Sequence, residues 1–142
     1  MDMSKKSKTA LHAFLFNLRT PLASIRGLAA LVEKDKRANT QFPLEGHEWL
    51  AKWVPKVEVW WNNVLELTEL SSRSGVEDYD GKALIKQLMS TLEGVEVAAD
   101  EAKEIPHSET YVSGDILHMI ISSIEHLRDE YKAMQALLPT LE

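Results

Sequence analysis

Histidine is the side chain best suited to phosphoryl transfer, proton transfer and metal binding near neutral pH, and the chain contains five of them. His12 stands near Lys8 and Arg19, two cations that would hold the charge of a phosphoryl group. The residues beside His12 in sequence are apolar, however, and supply no general base. His12 is therefore a candidate phospho-acceptor, and an ordinary surface histidine is the competing interpretation.

The remaining chemical groupings are less specific. His118 and Glu125 are seven residues apart, so one face of a helix can carry both, with His126 beside them. They lack the pair of histidines at i and i+4 that is typical of zinc-binding helices, so we expect no metal site. The six glycines are isolated from one another, which excludes a phosphate-cradling loop, and the sequence predicts no cofactor.

Two long amphipathic helices are predicted in the first half of the chain. From Thr9, apolar residues recur at steps of three and four up to Val32, and the pattern continues across Pro21. A second pattern runs from about His47 to Ser72 and contains all four tryptophans, which we expect mainly in a core. The turn residues between them favour a helical hairpin covering residues 9–72, after a flexible N-terminus at 1–8.

A lone hairpin cannot cover apolar stripes this wide. The simplest solution is a homodimer in which two hairpins form a four-helix bundle. The predicted dimer interface consists of the central stripe residues Leu18, Leu22, Ile25, Val57, Trp61 and Val64.

Residues 76–142 are predicted to form a small α/β module after a polar break at 71–75. Alternation or β-prone composition predicts short strands at 76–79, 95–98 and 110–112, and helical spacing predicts a helix at 82–92 that ends before Gly94. Asp115 is placed to cap a last helix from Ile116 to about Leu137. The predicted fold class is thus mainly α, with a dimerising hairpin followed by a small truncated α/β module.

The run Leu18-Arg-Thr-Pro-Leu22, followed by Ile25 and Gly27, resembles the H-box of two-component sensor histidine kinases. That motif usually reads His-Glu-Leu-Arg-Thr-Pro-Leu and continues as an Ile-x-Gly helix. Phe16 stands where the family carries its phospho-accepting histidine, and Asn17 stands at the acidic neighbour. The resemblance implies a four-helix dimerisation domain whose scaffold is present and whose phospho-acceptor is missing.

The second half is similar to the start of the kinase ATP-binding domain, by order of elements only. A Gly-Asp pair at 114–115 leads into the helix that carries the N-box asparagine in the family, and Ser123 falls at that position. The later Asp-x-Gly-x-Gly and glycine-rich lid segments have no counterpart. The resemblance implies a truncated module that does not bind ATP, and a protein that is not an enzyme.

Phe16 lies two residues from both Phe14 and Leu18, which places it opposite the core stripe of the helix. An outward phenylalanine would serve as an apolar anchor for a partner, whereas a rotated bundle would bury it. In the first case the residues that ring the anchor would be Asn17, Arg19, Thr20, Ser24 and Arg26.

Charge and composition narrow the functional class. Residues 1–40 hold eight basic residues against three acidic ones, a net charge of +5. Because the whole chain has a net charge of −6, the remaining residues carry −11. A basic first helix on an acidic body argues against nucleic-acid binding and suits an acidic protein partner. The chain lacks cysteine, a signal peptide and any run long enough to span a bilayer, so we expect a cytoplasmic protein without membrane insertion.

These features predict a non-catalytic two-component signalling protein, a homodimer that docks a response regulator or a histidine kinase and so modulates a phosphorelay. Two alternatives stay open. One is ATP-independent phosphotransfer through His12, and the other is a purely structural dimeric adaptor that keeps an inherited Arg-Thr-Pro-Leu motif.

Overall fold

The computed structural model describes residues 3–72, 79–106 and 115–141, and these residues are almost entirely helical. The predicted strands at 76–79 and 110–112 lie wholly or almost wholly outside the described residues. In chain order the elements are α1 (Met3–Lys34), α2 (Lys36–Gln41), α3 (Leu44–Ser72), α4 (Gly81–Thr91), α5 (Val95–Lys103), α6 (Ile116–Leu137) and a short 3₁₀ helix, η1 (Leu138–Leu141).

The two long helices of the first half form as predicted, and each continues through its internal proline. α1 starts earlier than expected, because residues 3–8 of the predicted flexible N-terminus are already helical. The turn region between the long helices contains one short helix, α2. Asp35 caps α2, with its Oδ1 accepting a hydrogen bond from the Ala38 N–H at 3.0 Å.

The last helix is capped by Asp115 as predicted. Its Oδ1 accepts a hydrogen bond from the Leu117 N–H at 3.0 Å and so satisfies a donor that no helical carbonyl can reach. Asp80 does the same at the start of α4, where its Oδ1 lies 3.1 Å from the Lys82 N–H. Gly94, with φ at +100°, separates α4 from α5 in a backbone conformation that favours glycine.

The strand predicted at 95–98 is wrong, because these residues begin α5. The alternation of Val95, Glu96 and Val97 covers only three positions. Over nine residues, the buried positions are Val95, Ala98, Ala99 and Ala102, which is the helical spacing, and Val97 is exposed. Within the described residues, therefore, the predicted α/β module consists of helices joined by turns and contains no strand.

The helices pack as a single bundle-like unit around α1. One side of α1 packs against α3 and another against α6, while α4 contacts α1, α3 and α6. α5 also contacts α3 and α6, so α4 and α5 both pack between these two helices and complete the bundle beside α1, α3 and α6. One continuous hydrophobic core includes residues of both predicted domains.

This packing changes the role of the predicted dimer interface. Five of its six residues are fully buried in a single chain, and they therefore present no surface to a second copy; these are Leu18, Leu22, Ile25, Val57 and Val64. The sixth, Trp61, is half-buried. The apolar stripes of the hairpin are covered by α4, α5 and α6 of the same chain, which removes the reason for requiring a second hairpin.

Three of the four tryptophans lie in the core, as predicted, and Trp60 is 1% exposed. Trp49 donates a buried hydrogen bond from Nε1 to the Ala98 carbonyl oxygen at 2.9 Å, which joins α3 to α5. No helix among the described residues is long and apolar enough to cross a membrane.

Candidate functional site

One face of α1 remains uncovered because the surrounding helices contact its other sides. We call this surface the outer α1 face. It runs almost the full length of the helix at steps of three and four residues, and its exposed members are Lys5, Thr9, His12, Phe16, Arg19, Thr20, Ala23, Gly27, Leu31 and Lys34.

Phe16 is the most exposed large apolar side chain among the described residues, at 73%. Leu15, directly before Phe16, and Leu18, two residues after it, are buried, so the helix turns Phe16 outward while their side chains lie in the core. The outward orientation predicted from the spacing is therefore found, and the alternative of a buried Phe16 is wrong.

Three of the five residues predicted to ring Phe16 share its exposure. Asn17 directly follows Phe16, Arg19 and Thr20 lie three and four residues after it on the same side of the helix, and all three are exposed. Among the described residues no ion pair of Arg19 is found, so this cation is available to an external carboxylate. Together with Phe16 they combine an apolar contact, a positive charge and hydrogen-bonding groups.

The other two predicted ring residues instead fasten α1 to its neighbours. Ser24 is half-buried, and its hydroxyl lies 3.0 Å from that of Ser123 on α6. Arg26 Nε lies 2.8 Å from a Glu58 carboxylate oxygen, and its guanidinium stands 4.8 Å from the ring centre of Trp61 on α3. These two residues flank α1 on opposite sides and point away from the Phe16 surface.

His12 is exposed on the outer α1 face, one turn before Phe16, but its ring has a partner. His12 Nε2 lies 2.8 Å from the Tyr79 hydroxyl, and the two rings stack with centres 6.4 Å apart. The Lys8 ammonium lies 4.8 Å from the centre of the same Tyr79 ring. Phosphoryl transfer to Nε2 would therefore require the tyrosine hydroxyl to move.

The histidines of α6 do not converge. His118 Nε2 lies 3.9 Å from Asp115, His126 lies 3.9 Å from Glu130, and Glu125 faces Lys103. No group of three or more potential metal ligands occurs in the described parts of the chain. Ser123, at the level of the family's N-box asparagine, donates a hydrogen bond to the Met119 carbonyl oxygen at 2.8 Å.

A groove of about 330 Å³ lies on the surface between α1 and α3, near the end of α1. Its walls are mostly aliphatic, and the rim carries Glu33, Asn39 and His47. His47 Nε2 lies 2.8 Å from the Asn39 carbonyl oxygen, which ties the α2 segment to the start of α3. The apolar lining consists of Ala29, Val32, Leu50, Ala51, Val54 and Pro55.

A second groove, of about 350 Å³, lies between α3 and α5 and is acidic. Glu101 lies in it and receives hydrogen bonds from the Lys52 ammonium at 2.6 Å and from Trp53 Nε1 at 2.8 Å. The bond from Lys52, and after it the bond from Trp53, hold the pKa of Glu101 below its ordinary value. This arrangement explains Glu101 as a structural carboxylate that joins α5 to α3.

Sequence reasoning missed Tyr79 and the apolar continuation of the outer α1 face. Tyr79 is 67 residues from His12, and no local pattern connects them. Ala23, Gly27 and Leu31 do follow Phe16 at helical spacing, so the signal for an uncovered stripe was present in the sequence. The resemblance to the H-box indicated only the residues around Phe16, so Ala23, Gly27 and Leu31 were not predicted as part of the exposed surface.

The outer α1 face offers an exposed aromatic ring, an exposed arginine and a line of small side chains. Such a surface can exclude water from an apolar contact and attract carboxylates, which are the requirements of protein docking. Comparison with known proteins adds no identification, because no family model, no curated protein and no solved structure matches this chain.

Proposed function

We propose that this chain is a non-catalytic two-component signalling protein that docks its partner on the outer α1 face and thereby modulates a phosphorelay. The observation that carries the proposal is the 73% exposure of Phe16 on a helix whose opposite side is fully packed. Aromatic side chains, phenylalanine among them, are enriched at protein interfaces relative to the rest of the surface.

The partner class comes from charge and from the resemblance to the H-box. A receiver domain of a response regulator presents a pocket of carboxylates, which suits the basic side chains beside Phe16. Arg19 is exposed, and Lys5 and Lys34 lie on the same face. A histidine kinase is the other partner that the resemblance allows.

The test is isothermal titration calorimetry of the full chain with purified receiver domains and purified kinase dimerisation domains of the source organism. Burial of a phenylalanine contributes about 1.5–3 kcal/mol, so Phe16→Asp is expected to weaken binding by about tenfold to a hundredfold or more. Its thermal midpoint should match that of the wild type, because the side chain packs little within the chain.

The matched control is Leu44→Asp. Leu44 is 69% exposed, lies at the start of α3 and is not among the α1 residues that define the outer α1 face. Binding that resists Phe16→Asp, or that falls equally in Leu44→Asp, would contradict the assignment of the docking surface. Absence of binding to every receiver and kinase domain would reject the signalling function and leave the structural adaptor.

Phosphotransfer through His12 is the second candidate, favoured by the position of that histidine one turn from Phe16 on the same exposed face. It predicts that a phosphorylated receiver domain passes its phosphoryl group from the aspartyl phosphate to His12, which regenerates the aspartate and leaves an acid-labile adduct that is absent in His12→Ala. Because Tyr79 occupies Nε2, it further predicts that Tyr79→Phe increases the rate of labelling. Labelling that persists in His12→Ala would exclude this residue as the acceptor.

A further inference from the structure

The groove between α1 and α3 has the composition of a small-molecule site. Its volume of about 330 Å³ lies at the lower end of the range typical of ligand pockets, and most of its lining is aliphatic. The polar side chains at its rim are few, which is also typical, and they are Glu33, Asn39 and His47. Its other α1 residues, Ala29 and Val32, are not members of the outer α1 face, so the groove is a separate surface.

The charge at the groove is negative. Glu33 is the one acidic residue among those that line it, and none of them is a lysine or an arginine. No ion pair of Glu33 is found in the described parts of the chain, so its carboxylate is open to an external cation. Glu33 also belongs to the last turn of α1, where carbonyl groups without helical partners give the helix end a partial negative charge. Lys34, Lys36 and Arg37 are exposed nearby in sequence but do not line the groove, so a cationic ligand must reach Glu33 directly.

The other polar groups of the groove are hydrogen-bond acceptors as well. His47 Nε2 lies 2.8 Å from the Asn39 carbonyl oxygen, which can only accept, so Nε2 donates and the neutral ring keeps a lone pair on Nδ1. Asn39 donates from Nδ2 to the Val32 carbonyl oxygen at 3.0 Å, which leaves its Oδ1 as an acceptor. Pro55 has no N–H, so the Ala51 carbonyl oxygen lacks its regular helical donor, and both residues line the groove. A ligand that matches this groove therefore carries several N–H donors.

These features select one chemical class. An alkylammonium group carries a positive charge and three N–H donors, and its hydrocarbon chain suits apolar walls. We infer that the groove between α1 and α3 binds a small aliphatic primary amine, with the ammonium group at the Glu33 carboxylate and the hydrocarbon chain along Leu50 and Val54. This site goes beyond the proposed docking function and needs no partner protein, so either can fail without the other.

The test uses hexylamine as the probe and two-dimensional amide NMR of the full chain at pH 7. Titration should shift the amide signals of groove residues such as Val32, Ala51 and Val54 in a saturable manner, with a Kd of about 1 mM for so small a ligand. Hexanol has the same hydrocarbon chain without the charge, and it should bind more weakly than hexylamine by about threefold to fivefold.

Variants of the chain separate the charge from the shape of the groove. Glu33→Gln should weaken hexylamine binding by about threefold to fivefold, the effect expected of one exposed ion pair. Glu66→Gln is the matched control, because it removes the same charge from an exposed position of α3 outside the groove, and it should bind as wild type. Ala51→Leu places a larger side chain at an exposed position of the groove wall and should abolish the shifts. Ala133→Leu, at an exposed position of α6, should leave them unchanged.

Three results would overturn the inference. Amide shifts that do not saturate, or that fall outside the groove residues, would mean that the groove holds no amine. Equal weakening by Glu33→Gln and Glu66→Gln would mean that only the overall charge of the protein acts on the probe. Equal affinity for hexylamine and hexanol would mean that the groove selects a hydrocarbon chain and not a cation.

Discussion

Phe16 and Glu101 differ in how far their side chains engage the rest of the chain. Phe16 is mostly exposed and contributes little to the folded state, whereas Glu101 is engaged by Lys52 and Trp53. Substitutions at the two sites should therefore act on different measurements, partner affinity for Phe16 and the free energy of unfolding for Glu101.

The contribution of Glu101 should depend on pH in a defined direction. Its pKa is lower in the folded protein than in the unfolded chain, chiefly through Lys52, so the stabilisation is complete above the ordinary glutamate pKa of about 4.3. It is lost as the pH falls through the lowered folded value. Because the side chain is 33% exposed, solvent screening limits the effect to at most about 1 kcal/mol.

Glu101→Gln should accordingly lower the free energy of unfolding at pH 7, and this deficit should be smaller at pH 3. Urea denaturation of both proteins at the two pH values measures the difference. Glu104→Gln, an exposed neighbour in the same groove, is the control and should follow wild type at both pH values. A deficit of equal size at pH 3 would mean that packing, and not the charge of Glu101, carries the effect.

Residue-level prediction from the sequence succeeded where helical spacing alone decides orientation. The outward position of Phe16 follows from the buried residues on either side of it. The prediction that Ser24 and Arg26 surround Phe16 was wrong, because their partners Ser123 and Glu58 belong to other helices. No spacing within α1 reveals where a neighbouring helix will lie.

At the scale of elements, the segments with a clear helical spacing were predicted correctly, including the short α4, whereas α5 was predicted as a strand. α1 and α3 each contain several turns of consistent pattern, and α6 adds a cap at Asp115. α5 has only nine residues, and its first four alternate like a strand. The helix is favoured because it buries three alanines together with Val95. That benefit depends on α6 and α3, which local sequence does not describe.

α4 lies close to α1 at Gly81, where the absence of a side chain makes room for the backbone of α1. A Cβ at Gly81 would lie 2.8 Å from the Lys8 nitrogen and 2.9 Å from the Ser7 carbonyl carbon. Both are backbone atoms, which can move aside only if the helix itself shifts. Gly81→Ala should therefore force α4 away from α1 and lower the free energy of unfolding by about 1–3 kcal/mol. Chemical denaturation followed by circular dichroism measures it.

Gly27→Ala is the internal comparison for that experiment, because the same substitution there meets open space. The two variants are expected to move stability in opposite directions. If Gly81→Ala were as stable as wild type, α4 would have to dock on α1 less closely than the structure describes.

At the scale of the whole molecule, the sequence predicted the mainly helical class, and α1 and α3 lie where the two long amphipathic patterns predicted helices. The apolar stripes on α1 and α3 do need further helices to cover them. Those helices are α4, α5 and α6 of the same chain, since α1 packs against α6 and α4 as well as α3. An amphipathic stripe specifies that it will be covered, but the identity of the covering element depends on chain connections that periodicity does not encode.

Because helices of the same chain cover the apolar stripes of α1 and α3, we expect the protein to be a monomer. A dimer built through the central stripe would have to expose and re-pair residues such as Leu22 and Val57, both at 0% exposure in one chain. Opening that core would cost far more than a new interface of the same residues returns, because these side chains are already closely packed and shielded from water within one chain. We therefore expect sedimentation equilibrium at micromolar concentration to give the 16.1 kDa of one chain.

A mass of twice that value would require an interface on surfaces that are exposed in the single chain, and the outer α1 face is the leading one. In that case Phe16→Asp should return the protein to a monomer, while Leu44→Asp should leave the dimer intact. Self-association through Phe16 would then compete with receiver binding. Raising the protein concentration would weaken the apparent affinity for the receiver, a dependence that a monomeric docking protein does not show.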